Sequence, residues 1–239
     1  MDFLKIPYLP KGRVTLAVGN VKIDAVTVIE PFYLTDLPPS MRRHADLSFC
    51  YLGSGVAVCA PEAYSYYSEK LAPYGIRLIK GDKSVGSNYP LDAAYNVAIV
   101  GKKLFCKTTL TDGVLLSKAK ELGYEIININ QGYAKCSVCP VDENSAISAD
   151  MSFYKAAVKA GVEVLLITNE NIHLEGFENG FFGGCTYCAQ NGIISAKGDM
   201  KTLPEYGKIK EFLNKRGINI AKGNGAVTDF GSFIPLCEE

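Results

Sequence analysis

The sequence predicts an α/β protein folded as a single domain over residues 1–239: a pseudo-symmetric, five-bladed α/β propeller of β-β-α-β units. Three observations lead there. Residues 92–130 read as one complete β-β-α-β module. The same order recurs in three further stretches, with Gly75, Gly123, Gly161 and Gly217 between helix and strand at intervals of roughly 40–55 residues, a period typical of propellers and arrays. A lone strand is left at the C-terminus, and the N-terminal strands can complete a fifth unit with it, which closes the ring and removes its free edges. An α/β sandwich with similar arms is the competing arrangement.

The module at 92–130 sets the template. AYNVAIV and KLFCK are apolar, β-branched runs separated by Gly101-Lys102, a hairpin signal. LTDGVLLSKAKELG then places Leu110, Val114, Leu115, Ala119 and Leu122 on one helical face, with Thr111 or Asp112 as N-cap and Gly123 as the stop. YEIININ closes the unit as a third strand.

Taken in order, residues 1–43 are the least regular: RVTLAVG and IDAVTVIEP read as strands, and LTDLPPS as a connector. Unit one covers about 45–81, with a Gly-Ser-Gly turn and a helix ending near Gly75. Unit two is the template. Unit three covers about 133–168, with a longer Asp-Glu-Asn-Ser turn, and unit four about 183–222, with an Asn191-Gly192 hairpin. The fifth combines 226–236 with 12–43.

Composition excludes several classes. Lys+Arg and Asp+Glu are each 25, so the formal net charge is zero, and no basic run is interleaved with aromatics; a nucleic-acid partner is not expected. No apolar run approaches the ~20 residues that span a bilayer, and MDFLKIPYLPKGR lacks the apolar core of a signal peptide, so no membrane contact is expected. Eight cysteines in such a chain read as reduced thiols in a cytoplasmic protein rather than a disulfide framework. No cofactor is implied, and oligomeric state has no signature here.

If the first strand of each unit lines a central channel, its residues alternate between channel and blade core. Aligned on the hairpin turns, one face holds His44, Asp46, Ser48 and Cys50; Asp92, Asn96 and Ala98; Lys135, Ser137 and Cys139; Gly184, Thr186 and Cys188; and Asp229 and Gly231. The opposite face, including Tyr51, Val97, Cys136, Cys185 and Phe230, is mostly large and apolar. Carboxylates, a lysine, an amide and an imidazole thus converge, and buried charges must be paired or bind something charged. One reading pairs Lys135 with Asp46 or Asp229 as a structural plug. The other makes Asp46, Asp92, Asn96, Lys135, Thr186 and Asp229 a receptor for a small zwitterion, carboxylates meeting a guanidinium or ammonium and Lys135 a carboxylate.

Cys136-Ser-Val-Cys139 and Cys185-Thr-Tyr-Cys188 are paired CxxC motifs, so a zinc or redox site of Cys136, Cys139, Cys185 and Cys188 is an alternative. On strands, however, positions i and i+3 point to opposite faces, and neither motif closely precedes a helix that could lower a thiol pKa. No metal is therefore the primary expectation. Cys50, Ala98, Cys139 and Cys188 fall at equivalent places, where a small residue suffices.

The repeated units and the last strand resemble the pentein superfamily, the guanidino-group-modifying enzymes: arginine deiminases, dimethylarginine dimethylaminohydrolases and amidinotransferases. QGYAKCSVC (131–139) and VTDFGSFIPL (227–236) more closely resemble an uncharacterised bacterial family of that fold. The resemblance implies an active site in the channel with a Cys-His-acid set. Its cysteine, in GG-L-T-C patterns of the last channel strand, aligns with Asp229 of Gly225-Ala-Val-Thr-Asp, and its histidine region is Gln131-Gly132-Tyr133. The acid of the first unit is kept as Asp46, beside His44. Two functions follow. One is a degenerate relative binding an amino-acid-like or arginine-like ligand without turnover. The other is an amidinohydrolase- or amidinotransferase-like enzyme with relocated groups: His44 as acid/base, Asp46 orienting it, Cys139 or Cys188 as nucleophile and Asp229 nearby. His173 is expected on the surface or in a lid.

Overall fold

The computed structural model describes all residues, Met1–Glu239. Five small mixed sheets share one pairing scheme: an antiparallel pair, then a third strand added in parallel. In the first, Phe49–Gly53 pairs antiparallel with Val56–Cys59, which pairs parallel with Arg77–Lys80. The second joins Ala98–Val100, Lys103–Cys106 and Glu125–Asn128; the third Val138–Asp142, Ser145–Ser148 and Glu163–Leu166; the fourth Thr186–Gln190, Ile193–Ala196 and Asn219–Ile220. The fifth comes from both chain ends: Phe233–Glu238 runs antiparallel to Val14–Gly19, which is parallel to Thr27–Ile29, with Asp2–Phe3 on the outer edge. A two-stranded parallel ribbon joins Ile172–His173 to Val227–Thr228.

Each of the first four sheets carries one helix between its second and third strands: Tyr64–Leu71, Gly113–Glu121, Met151–Lys159 and Tyr206–Asn214. The parallel third strand requires such a crossover. Capping follows the sequence closely. Asp112 caps the second helix by accepting from Leu115 N, and Asp150 caps the third by accepting from Phe153 N. Gly123 ends the second helix at φ 80°, a left-handed conformation that costs other residues roughly 1–2 kcal/mol. The helices bury their periodic positions, Leu115 and Ala119 in one, Phe153 and Ala157 in the next. Phe153, fully buried edge-on against Phe105 with centroids 4.9 Å apart, contributes roughly 1.5–3 kcal/mol.

The first strands differ from expectation at their entry. Ala45–Ser48, Ala134–Ser137 and Phe182–Cys185 are single helical turns, and extended structure begins only at Phe49, Val138 and Thr186. In the second unit the strand starts at Ala98, after a series of turns. Small hydroxyl side chains hold two of these turns: Ser137 Oγ donates to Tyr133 O at 2.8 Å and Thr186 Oγ1 to Phe182 O at 2.8 Å. Simple alternation from His44 to Ser48 or from Lys135 to Ser137 therefore fails. Successive residues there differ by about 100°, and neighbours such as Lys135 and Cys136 can both point inward.

Candidate functional site

Each unit delivers its entry segment to one buried cluster. His44 and Asp46 come from the first, Asn96 from the second, Lys135 and Cys136 from the third, the Gly183 carbonyl from the fourth and Ser232 from the last. The segments interlock through backbone bonds: Ala45 N donates to Gly231 O at 3.0 Å, and Phe230 N and Ser232 N both donate to Gly184 O at 3.2 Å. Gly231 has φ 76°, and a β-carbon there would lie 2.1 Å from His44 Cγ, so only glycine lets the His44 segment approach this closely.

A chain of hydrogen bonds runs through the cluster. Lys135 Nζ donates to Gly183 O at 3.0 Å and Ser232 Oγ at 3.2 Å; Ser232 Oγ donates to Asp46 Oδ2. The same Oδ2 accepts from the Cys136 thiol at 3.0 Å, and Cys136 Sγ accepts from Asn96 Nδ2 at 3.2 Å. Asn96 Oδ1 anchors the turn by accepting from the amides of Lys135 at 2.7 Å and Cys136 at 3.2 Å. A ring nitrogen of His44, a carboxylate oxygen of Asp46 and Cys136 Sγ lie within 4.8 Å of one another. His44 Nε2 and Asp46 Oδ1 have no partner, although the two residues are only 2% and 1% exposed.

The electrostatics follow from burial. Desolvation pushes the Asp46 carboxyl up, partly offset by His44, Lys135 and its hydrogen bonds. Cys136 is pushed well above the usual thiol range, first by desolvation and then by the charges of Asp46 and Asp229. In the ligand-free protein its sulfur is therefore a proton-carrying thiol. The expected Lys135–carboxylate pairing takes an indirect form, because the Ser232 hydroxyl stands between ammonium and carboxylate.

The other expected site residues are distributed around this cluster. Asp229 has both oxygens on backbone amides, Oδ2 accepting from Phe181 N at 2.8 Å and Oδ1 from Gly231 N at 3.0 Å, and it packs against Gly184, where a β-carbon would collide with it. Asp92 Oδ2 accepts from Tyr133 OH at 2.7 Å while Oδ1 is buried without a partner, and desolvation raises its pKa. Tyr133 stands in a row between Tyr89 and Phe181, with centroid separations of 5.3 and 6.1 Å. Cys139, Thr186 and Cys188 line, with Tyr8 and with Lys135 of the cluster, an adjoining cavity of about 20 Å³, room for about one water molecule. His173 is exposed at the two-stranded ribbon.

The four CxxC cysteines do not converge on a common point. Cys136 turns to Asp46, Cys139 to Pro140 O at 3.7 Å, Cys185 to Phe182 O at 3.1 Å and Cys188 to Gln190 O at 3.1 Å. All eight cysteines are free, and Cys188 is the only one not buried. Burial nevertheless pushes its thiol up to about 12. Iodoacetamide is accordingly expected to modify native protein slowly and at Cys188 first, as read by peptide mass spectrometry. Modification of Cys136 ahead of Cys188 would show the cluster open to solvent.

Three participants join the cluster in ways that the strand pattern does not indicate. Strand alternation puts Cys136, a candidate only as a CxxC metal ligand, on the apolar face, and the helical turn brings it inward to Asp46. Ser232 was hidden in a segment read as continuous strand. Tyr8, whose ring lies 4.8 Å from Lys135 Nζ in a cation–π contact, comes from the irregular N-terminal stretch, and no pattern there marks it.

Comparison with known proteins identifies the fold. The chain is similar to a cysteine-to-serine variant of C. jejuni agmatine deiminase with substrate bound, at 10% identity and TM-score 0.59, covering 99% of this chain and 96% of that one. It is similar to a cysteine-to-serine variant of the dimethylarginine dimethylaminohydrolase (DDAH) of Pseudomonas aeruginosa complexed with citrulline, at 10% identity and TM-score 0.55, covering 89% and 92%. The inosamine-phosphate amidinotransferase of Streptomyces griseus gives 12% identity and TM-score 0.54, covering 90% and 76%. A search of curated protein sequences finds no match. No helix is long and apolar enough to cross a membrane. With the α/β fold of the pentein enzymes and a match to the family's sequence model over residues 16–234, the chain belongs to the family of unknown function DUF6873.

Proposed function

We propose that the five sheets close as a five-bladed α/β propeller, one domain over residues 1–239, and that its central chamber binds a small amidino or amine cation of amino-acid size. Asp46 supplies the counter-charge through Oδ1. Lys135, with a third N–H beyond its two hydrogen bonds, meets a carboxylate on the ligand; Asn96 anchors the turn that carries Lys135, and Asp92 holds Tyr133 of the aromatic row Tyr89, Tyr133 and Phe181, the side from which a ligand would enter. The observation that carries this is the pair of buried, unpartnered acceptors, Asp46 Oδ1 and Asp92 Oδ1. An acceptor buried without a partner costs about 1–3 kcal/mol, more if charged, and an incoming cation removes that cost. The folds of the citrulline-bound hydrolase and the substrate-bound agmatine deiminase support the ligand class.

A thermal-shift panel of agmatine, arginine, citrulline and simple amines tests it. A ligand at 100 times its Kd stabilises by about 2.7 kcal/mol, which for a protein of this size raises Tm by roughly 5–10 °C. The shift is expected with cationic members and lost in Asp46→Asn. A flat response across the panel would contradict the proposal.

A second reading is favoured by the 3.0 Å contact between Cys136 and Asp46. A guanidinium held at Asp46 would place positive charge beside the thiol and draw its pKa down. His44 would take the thiol proton, the thiolate would add to the guanidinium carbon, and His44 would return the proton to the departing amine. In this relocated set, Cys136 takes the nucleophile's place that the sequence pattern offers to Cys139 or Cys188.

A further inference from the structure

The same cluster has the donor set of a metal site, independently of any organic ligand. It offers one imidazole nitrogen, one carboxylate oxygen and one sulfur, mutually within 4.8 Å, from segments far apart in sequence. Two further facts point to a cation. His44 Nε2 and Asp46 Oδ1 are buried and bare, on residues 2% and 1% exposed. The donors are also held in place by neighbours: Asn96 Nδ2 on Cys136 Sγ, Ser232 Oγ on Asp46 Oδ2, and Gly231 against the His44 ring. Such supporting contacts orient ligands in protein metal sites.

We propose that His44, Asp46 and Cys136 form a three-ligand site for a borderline divalent cation, zinc foremost. Tetrahedral zinc with bonds of about 2.0–2.3 Å sets its donors roughly 3.3–3.5 Å apart. The cluster, within 4.8 Å overall, needs to contract by up to about 1.3–1.5 Å at its widest. Cys136 Sγ and Asp46 Oδ2, hydrogen-bonded at 3.0 Å, would separate by about 0.5 Å to share the metal. On binding, the Cys136 thiol releases its proton to solvent, and the sulfur lone pair that held it bonds the metal instead. One thiolate and one carboxylate then balance a divalent charge, and the ammonium of Lys135 stays one hydroxyl away, beyond Ser232. A soft thiolate with an imidazole selects zinc, cobalt or copper over magnesium or calcium. Three protein donors leave a fourth position for water or a ligand heteroatom, the pattern of reactive rather than purely structural zinc sites. The site is distinct from a four-cysteine site on the CxxC motifs: Cys136 turns to Asp46, whereas Cys139 and Cys188 line the Tyr8 cavity.

Cobalt titration of the full-length, chelator-treated protein tests this, with absorbance reporting a thiolate-to-cobalt charge-transfer band. The expected result is one equivalent bound, displaced by one equivalent of zinc and unaffected by excess magnesium. The band is expected to vanish in Cys136→Ser, to need at least tenfold more cobalt in His44→Ala and Asp46→Asn, and to persist in Cys188→Ser. Absence of the band in wild type, its survival in Cys136→Ser, or its loss in Cys188→Ser would each overturn the proposal. Should Cys136→Ser fail to fold, as judged by circular dichroism, the near-isosteric Asp46→Asn decides: undiminished cobalt affinity there would overturn it. Organic-cation binding is read on metal-free protein by melting temperature, so either idea can fail without the other.

Discussion

Replacing Lys135 with methionine is expected to destabilise the protein by about 3–5 kcal/mol at neutral pH, and Asp46→Asn in the same chain is expected to recover a large part of that loss. Lys135 is 2% exposed, its ammonium bonded to Gly183 O and Ser232 Oγ, and its positive charge partly offsets the rise that desolvation gives the Asp46 pKa. Methionine keeps most of the volume, so the dominant change is electrostatic. A carboxylate already raised by desolvation loses a compensating cation, and the Ser232 hydroxyl and Gly183 carbonyl lose a donor. Asparagine at Asp46 removes the charge while still offering an acceptor to Ser232. Urea unfolding of the two single variants and the double variant checks this as a cycle. Coupling above about 1 kcal/mol is expected, and simple additivity would mean that Lys135 acts only through packing.

Gly231→Ala is expected to cost at least about 3 kcal/mol, against about 1–2 kcal/mol for Gly123→Ala. The two glycines have similar backbones, φ 76° and φ 80°, so the conformational cost is shared. Their surroundings differ. Around Gly123 no atom lies within 4 Å of an added β-carbon, whereas at Gly231 it would meet His44 Cγ at 2.1 Å and Cα at 2.2 Å. Relief requires moving the segment that carries His44 and Asp46. Gly231→Ala should therefore abolish ligand-induced stabilisation as well as lowering Tm, while Gly123→Ala lowers Tm by roughly 2–8 °C and leaves the ligand response intact. Equal effects in both assays would show that His44 is not held by this close approach.

Much of the architecture was legible because it rests on local rules. Gly75, Gly123, Gly161 and Gly217 are all left-handed and end helices as the spacing implied. Asp112, rather than Thr111, caps its helix because its carboxylate reaches Leu115 N. The antiparallel-then-parallel pairing follows from hairpin signals preceding each helix. The cluster was only half legible, for a physical reason. ADLS, AKCS and FGGC are too short to show helical periodicity, and tertiary contacts decide their conformation. Strand alternation found His44, Asp46, Asn96 and Lys135, because these are polar residues in apolar surroundings. It put Cys136 on the wrong side, because a single turn at 134–137 rotates each residue by about 100° and not 180°. Cys139 and Cys188 kept each other's company, but beside the small Tyr8 cavity rather than beside His44.

Calorimetric titration of agmatine and arginine into metal-free wild type and Asp46→Asn, side by side, tests the chamber most directly. The account predicts saturable one-to-one binding to wild type by at least one of them, weakened tenfold or more in Asp46→Asn, because a buried charge-assisted contact contributes about 1.5–3 kcal/mol. Binding of equal strength to both proteins, or no heat with either cation, would contradict it.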